Sequence, residues 1–520
     1  MPRYKPYSYE QMLMIPVDLK SQLQPGTFEF ALNEIIDEMD LSIFDDRFHN
    51  EETGAPAYDP AVMLKIVLFA YSRGMFSSRE IERACRENVV FMALSADSHP
   101  HFTTIADFIS SMEAEITPLF LNVLLVCAEE GLIGRQMFAI DGCKISSNCS
   151  KEWSGTRADF ERKKGKLEKS IRLLLKKHRG RDASDGGDTG MWEKEKSAVA
   201  RLRAKVKKIK KWLDEGEEKI GRGGRPKQSN LTDDESAKMP GSHGVVQGYN
   251  GVAAVDSKHQ VIVHAEAFGV GTEKQLLMPM LEGVGRNFGS IGEDGEVLRS
   301  AVVVADNGFH SEANVKMVLD SGIDAYLPDG HFRKRDPAFA TARRHRRSVD
   351  RKKERYRSKV RYFQVKDFRY DEARGKLICP AGKEMYVRNR NFYDSKGNCG
   401  VAYMAKKTDC RVCELRSKCL RKPNTVARQV TLFHGRLPGT PKTYNERMIE
   451  RFDSALGRYL YSRRLGVVEP VFANICHAKG LNRFTLRGKV KVDIQWKLYT
   501  MVHNILKILR YSPRYALEAG

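Results

Sequence analysis

The stretch Phe138–Ser146, FAIDGCKIS, sets one carboxylate, Asp141, inside an apolar run of β type, and this constrains the fold more than any other short segment. A charge in such a place is costly to desolvate unless a cation or hydrogen-bond donors offset it. The surrounding pattern says what kind of sheet holds it. From about Gln136 the strand-like segments QMFAIDGCKIS, GYNGVAAVDS and QVIVHAEAFGV follow one another, the last two joined as a hairpin by the turn DSKH. A helical segment, TEKQLLMPMLEGVGRNF, leads to the Val-rich strand SAVVVADNGF with Asp306 at its end. Another helix, SEANVKMVLDSG, leads to the short strand IDAYLPD. An antiparallel start followed by β-α-β-α-β predicts an α/β fold with a mixed sheet.

Two segments interrupt this core. Between about 151 and 245, apolar residues recur at helical spacing, first at Phe160, Leu167, Ile171, Leu174 and Leu175, then at Val199, Leu202, Val206, Ile209 and Trp212. With the break GRDASDGGDTG between them they read as a helical hairpin. The second interruption, about 330 to 440, is basic and then turn-rich and Cys-rich. The expected organisation is therefore 1–132 helical, 133–329 the first part of the core, 330–440 an insertion, and 441–520 returning helices. In the first segment, DPAVMLKIVLFAYSRG reads as a helix capped by Asp59, opened by Pro60 and stopped by Gly74. The helix after it permits a helix-turn-helix.

The net charge of +22 is concentrated. Residues 157–227 hold 24 Lys/Arg against 12 Asp/Glu, and 333–361 hold 14 against 3. Charge gathered this way suits a phosphate backbone, whose binding by Lys and Arg releases counterions. No apolar run is long enough to span a bilayer and the N-terminus lacks a secretory pattern, so the expectation is a cytoplasmic, nucleoid-associated protein.

A third carboxylate, Glu469, lies in YSRRLGVVEPVFANICHAKG, where Pro470 suits a first helical turn and Arg463 and Arg464 stand just upstream. An acidic residue for metal and arginines for phosphate are both needed where a phosphodiester is cut. Asp141, Asp306 with its ADNGFHS context, and Glu469 within Y-x2-R-x4-E resemble the DDE transposases of bacterial insertion sequences, in the group with a Tyr-Arg-Glu-Lys signature. The segment YDPAVMLKIVLFAYSRGMFSSREIERACREN resembles the N-terminal helical domain of that family, and VVEPVFANI with LNRFTLRGKVKV its C-terminal half.

The resemblance implies a ribonuclease H-like mixed-sheet catalytic core, with the basic hairpin and the Cys-rich segment as insertions. It implies cleavage and joining of DNA ends with Mg2+ or Mn2+ held by Asp141, Asp306 and Glu469, and phosphate contacts from Tyr461, Arg464, Arg463 and Lys479. The partners it implies are the element's terminal inverted repeats, target DNA and further copies of the chain as a homo-oligomer. Two departures stand out: four residues separate Arg464 from Glu469 where the signature has three, and the signature Lys falls on Cys476, leaving His477 or Lys479 to replace it. The alternative is a catalytically inactive or domesticated protein that binds DNA sequence-specifically.

Ten cysteines without a signal peptide argue against a disulfide framework. Cys379, Cys410, Cys413 and Cys419 lie within 41 residues and include one C-x2-C pair, a donor set for a structural zinc, with Cys399 as a substitute ligand.

Overall fold

The computed structural model describes residues 18–47, 56–182, 189–221, 224–241, 244–292, 296–341, 362–395, 397–422 and 424–515. The chain divides into two compact units: residues 1–328 with 454–520, and Asp329–Asp453. The break at Asp453 puts the helix Tyr444–Asp453 in the second unit, so the returning helices of the first begin after it and not at residue 441.

Among the described residues the first unit opens with six α-helices: α1 (Phe28–Asp37), α2 (Pro60–Ser72), α3 (Ser78–Glu87), α4 (Val89–Leu94), α5 (Phe102–Ser110) and α6 (Ile116–Glu129). Helix α2 starts where Asp59 accepts a hydrogen bond from the Ala61 amide at 2.7 Å, with Pro60 in its first turn. It ends before Gly74, whose φ of 74° only glycine adopts without strain. From Met63 to Tyr71 it is buried all round, because it packs between its neighbours and the long C-terminal helix, where Tyr71 stacks on Tyr499 at 4.6 Å.

A mixed sheet follows. Strand β1 (Met137–Ser146) lies at its centre, antiparallel to β3 (Gly244–Asp256) on one side and parallel to β5 (Val302–Ala305) on the other, with β6 (Asp324–Tyr326) parallel beyond β5. The far edge of β3 pairs with β2 (Ala237–Gly241) and β4 (Ile262–Phe268). Between β1 and β2 run the hairpin helices α7 (Arg157–Asp182) and α8 (Thr189–Glu215), held at their base by Phe160, Ile209, Trp212 and Leu213, with Phe160 edge-on to Trp212. Helices α9 (Leu277–Ser290) and α10 (Glu312–Asp320) connect β4 to β5 and β5 to β6.

Two C-terminal helices close the unit, α11 (Ala455–Ala473) and α12 (Lys489–Tyr511). Polar side chains of α12 bond the β4 backbone directly: Asn504 serves both the N–H and the C=O of Ile262 at 2.9 Å, and Asp493 accepts from the Ala267 amide at 2.7 Å. The helix thus satisfies backbone groups of an edge strand that would otherwise be buried unpaired.

The second unit is a five-stranded antiparallel sheet running Arg369–Asp371, Lys376–Ile378, Glu384–Tyr393, Asn398–Ala405 and Gln429–Arg436 in spatial order. Phe368, Leu377, Met385, Tyr403, Ala405 and Val430 form its core, with Cys379, Cys410 and Cys419 packed against it. Arg335 ties the two ends of this unit together, bonding Asp329 and Asp453 at 2.5 Å each. Most of the second basic block, 342–361, lies outside the described residues. Among the described residues no helix is long and apolar enough to cross a membrane.

Candidate active site

Register explains why two carboxylates meet. Ile140 of β1 pairs with Ala305 of β5, so the next residues, Asp141 and Asp306, emerge side by side from parallel neighbours. Strand β5 stops at Ala305, and Asp306 leads into the tight turn Asn307–Phe309. Helix α11 crosses β1 and β5 and brings two side chains to the pair. The Arg464 guanidinium bonds Asp141 through Nη1 at 2.5 Å and Asp306 through Nη2 at 3.4 Å, and the Tyr461 hydroxyl donates to Asp306 at 2.9 Å. The Gly142 amide donates to the other Asp141 oxygen at 2.8 Å. The charge buried in the strand is therefore met by a buried arginine 323 residues away in sequence.

The electrostatics follow from this packing. Burial raises the Asp141 carboxyl above the ordinary range, and Asp306 adds to the rise, although Arg464 opposes it. Burial, reinforced by the Asp306 charge, pushes the Tyr461 phenol up to about 12. For Arg464 burial works against the charged form, but Asp141, Tyr461 and Asp306 outweigh it, so the guanidinium is held more firmly protonated than usual. Its Nε, buried, has no hydrogen-bond partner.

A further carboxylate stands here that sequence reasoning missed. Glu273, in a short turn after β4, pairs with Lys144 of β1 at 3.7 Å. Its carboxyl is raised by burial and then by the charges of Asp141 and Asp306, with Lys144 opposing. Gly308, two residues after Asp306, is what admits it, because a Cβ there would collide with the Glu273 carboxylate. Nothing in GTEKQ marks this Glu as special. The only hint is the Gly in ADNGF, which sequence alone reads as an ordinary turn.

Among the described residues the other predicted ones make no hydrogen bond or ion pair with Asp141 or Asp306. Glu469 is on α11 but exposed, while Arg464, Val467, Val468 and Val471 form that helix's buried face. The expected helix start at Pro470 is corrected: α11 begins at Ala455, capped by Ser454 at 3.0 Å, and Pro470 sits inside it. A proline there cannot donate to the Gly466 carbonyl, and the Gln260 side chain does so instead at 2.9 Å. Arg463 is exposed and bonds the Tyr459 hydroxyl at 3.2 Å. The expectation of Lys479 as a phosphate contact is also corrected, since it is buried at 4% exposure and lines a small cavity with Thr27, Arg73 and Leu506. Cys476 packs its sulfur 3.8 Å from that of Cys143, two residues beyond Asp141.

In the second unit Cys379, Cys410, Cys413 and Cys419 line one cavity of about 560 Å3. Burial raises the Cys419 thiol, and the other three add to this against Arg428. Arg416 and Arg428 hold the loop through the carbonyls of Cys410 and Cys419. Among the described residues no three His, Cys, Asp or Glu are grouped to hold a metal ion. At the sheet, two carboxylates on adjoining strands are oxygen donors of the kind a hard divalent cation takes when phosphate and water supply the rest.

Two families match the chain. One described as "Transposase DDE domain" matches residues 378–509, which include Arg464, Glu469 and the four clustered cysteines, and one described as "Transposase domain (DUF772)" matches residues 17–111, the N-terminal helices. No curated protein matches it.

Proposed function

The chain being a DDE transposase of the insertion-sequence type, we propose that it binds the terminal inverted repeats of its element, cuts DNA at those ends and transfers them to a target. The observation that carries this reading is the pairing of Asp141 and Asp306 at neighbouring strand ends under one buried guanidinium. In the ribonuclease H-like core proposed here, these two carboxylates hold Mg2+ or Mn2+, and Glu469, five residues beyond Arg464, is the third carboxylate. Divalent metal, when bound, lowers the pKa of an attacking hydroxyl and stabilises the leaving oxygen.

The chain's own groups do the rest. Tyr461 orients the Asp306 carboxylate, and the unpartnered Nε of Arg464 is a donor for a phosphate oxygen at the cut. No side-chain nucleophile is needed. The exposed lysines and arginines of α7 and α8 track phosphates away from the cut, which makes binding fall steeply with salt. Of the second basic block, Arg335 is engaged inside its own unit and is not counted among the DNA contacts. Zinc at the four clustered thiols remains part of the proposal on the strength of their spacing and shared cavity, and metal analysis of the purified chain tests it.

The test is Mg2+- or Mn2+-dependent cleavage of DNA carrying the element's own ends. Asp141→Asn and Asp306→Asn are expected to lower the cleavage rate by on the order of a thousandfold while end binding persists. Glu469→Gln is expected to do the same and Glu273→Gln to retain cleavage; the reverse result moves the third carboxylate to the β4–α9 turn. Cleavage intact in Asp141→Asn sinks the reading.

A further inference from the structure

Arg464 does not fit the part of a simple scaffold residue. Its guanidinium reaches both Asp141 and Asp306, so it stands in the place between the two carboxylates that a divalent cation would take. Its side chain is only 6% exposed, so its charge cannot be left to water. Yet the contact is incomplete: Nη2 lies 3.4 Å from Asp306, and the buried Nε has no partner. A buried N–H left empty is expensive, and a cation holding two anions with a donor to spare is unsaturated.

From this we infer that Arg464 is a resident counter-ion that exchanges partners, leaving the two carboxylates for a DNA phosphate as the divalent cation enters. The inference rests on the reading of Asp141 and Asp306 as the metal site. Its physical basis is exclusion: a guanidinium and a hard dication cannot both sit between the same pair of carboxylates. A cation entering alone strands a buried arginine without an anion. A phosphate entering alone draws Arg464 away and leaves two neighbouring carboxylates facing each other. Entering together, each ligand supplies the partner that the other displaces. Cation and DNA then bind cooperatively, and by linkage the coupling is the same in both directions. The arrangement keeps the cutting site neutralised until DNA is present.

The test is a Mn2+ titration of the full chain without DNA, following the electron paramagnetic resonance signal of free Mn2+, a hard ion that the thiol cluster does not favour. Arg464→Gln is expected to bind Mn2+ about tenfold more tightly than wild type. A short duplex is expected to tighten Mn2+ binding in the wild type and to do so less in Arg464→Gln. Affinity in Arg464→Gln that equals or falls below wild type overturns the inference. If that variant does not fold, as judged by circular dichroism, Arg464→Lys serves in its place: it keeps the charge but bridges less, so a smaller gain of the same sign is expected, and no gain overturns the idea. Asp141→Asn separates the two levels of argument. Loss of the Mn2+ site in Asp141→Asn with no gain in Arg464→Gln removes only the exchange, whereas undiminished Mn2+ binding in Asp141→Asn removes the metal-site reading itself.

Discussion

Among the described residues Arg335 and Arg464 each bridge a pair of aspartates, and they differ in how completely they do so. Arg335 gives Nη1 and Nη2 to the two oxygens of Asp329 and Nε to Asp453, using all three guanidinium nitrogens. Those aspartates are the first and last residues of the second unit, so the bridge is a staple. Arg464 is more deeply buried, at 6% against 30% side-chain exposure, yet it makes fewer bonds, one of them long, and leaves Nε without a partner. The more costly burial has the poorer satisfaction. A bridge whose purpose is stability is expected to saturate its donors, whereas one that awaits a ligand is not.

Breaking each bridge gives the largest contrast. Arg464→Gln leaves two adjoining carboxylates without their cation, at a cost of about 3 kcal/mol in metal-free buffer. Arg335→Gln costs less, roughly 2 kcal/mol, because Arg335 itself is partly exposed and water already screens its ion pairs. Chemical denaturation with and without Mn2+ tells them apart. Divalent cation is expected to restore most of the loss in Arg464→Gln and little of it in Arg335→Gln, since Asp141 and Asp306 are the pair read as the metal site whereas Asp329 and Asp453 are read as a staple. Equal rescue of both, or of neither, would erase the distinction drawn between them.

How much of this was legible in the sequence depends on whether the signal was local. The alternation of strands and helices from Gln136 to Asp329 was readable because apolar periodicity is written residue by residue, and the strand-end setting of Asp141 and Asp306 came with it. Their adjacency was not, because it depends on the β1–β5 register. Pro470 misled for a physical reason: proline is usually a helix opener, but here a remote side chain, Gln260, takes over the bond that proline forfeits. Lys479 misled in the same way, as a basic residue near a signature position that the fold turns inward. Glu273 gave no signal at all, since its place depends on a glycine in another turn.

Lys479 extends the comparison to a cation shifted by burial alone, which pushes its amine down to about 8. The sign follows from linkage. The folded amine loses its proton more easily than the unfolded one, so burying the charge costs stability fully below about pH 8, and the cost fades as the pH rises toward about 10.4. Lys479→Met is therefore expected to stabilise the chain by about 2 kcal/mol at pH 7, with the gain shrinking above pH 8. A gain independent of pH would mean that packing, not charge, is what methionine improves.

The smallest effect probes the other side of the unsaturated bridge. Asp306 receives the Tyr461 hydroxyl at 2.9 Å and Arg464 only at 3.4 Å, so the phenol is its shorter contact. Tyr461→Phe is expected to cost about 1 kcal/mol at neutral pH, the ordinary worth of such a bond. Because the phenol is pushed up to about 12, its contribution is complete below the ordinary phenol pKa of about 10 and is lost as the pH climbs from there through about 12. Urea unfolding across that range should accordingly fall less steeply in the variant than in wild type. If Tyr461→Phe is as stable as wild type at pH 7, water serves Asp306 as well as the phenol does, and the site is still less self-sufficient than the Arg335 staple.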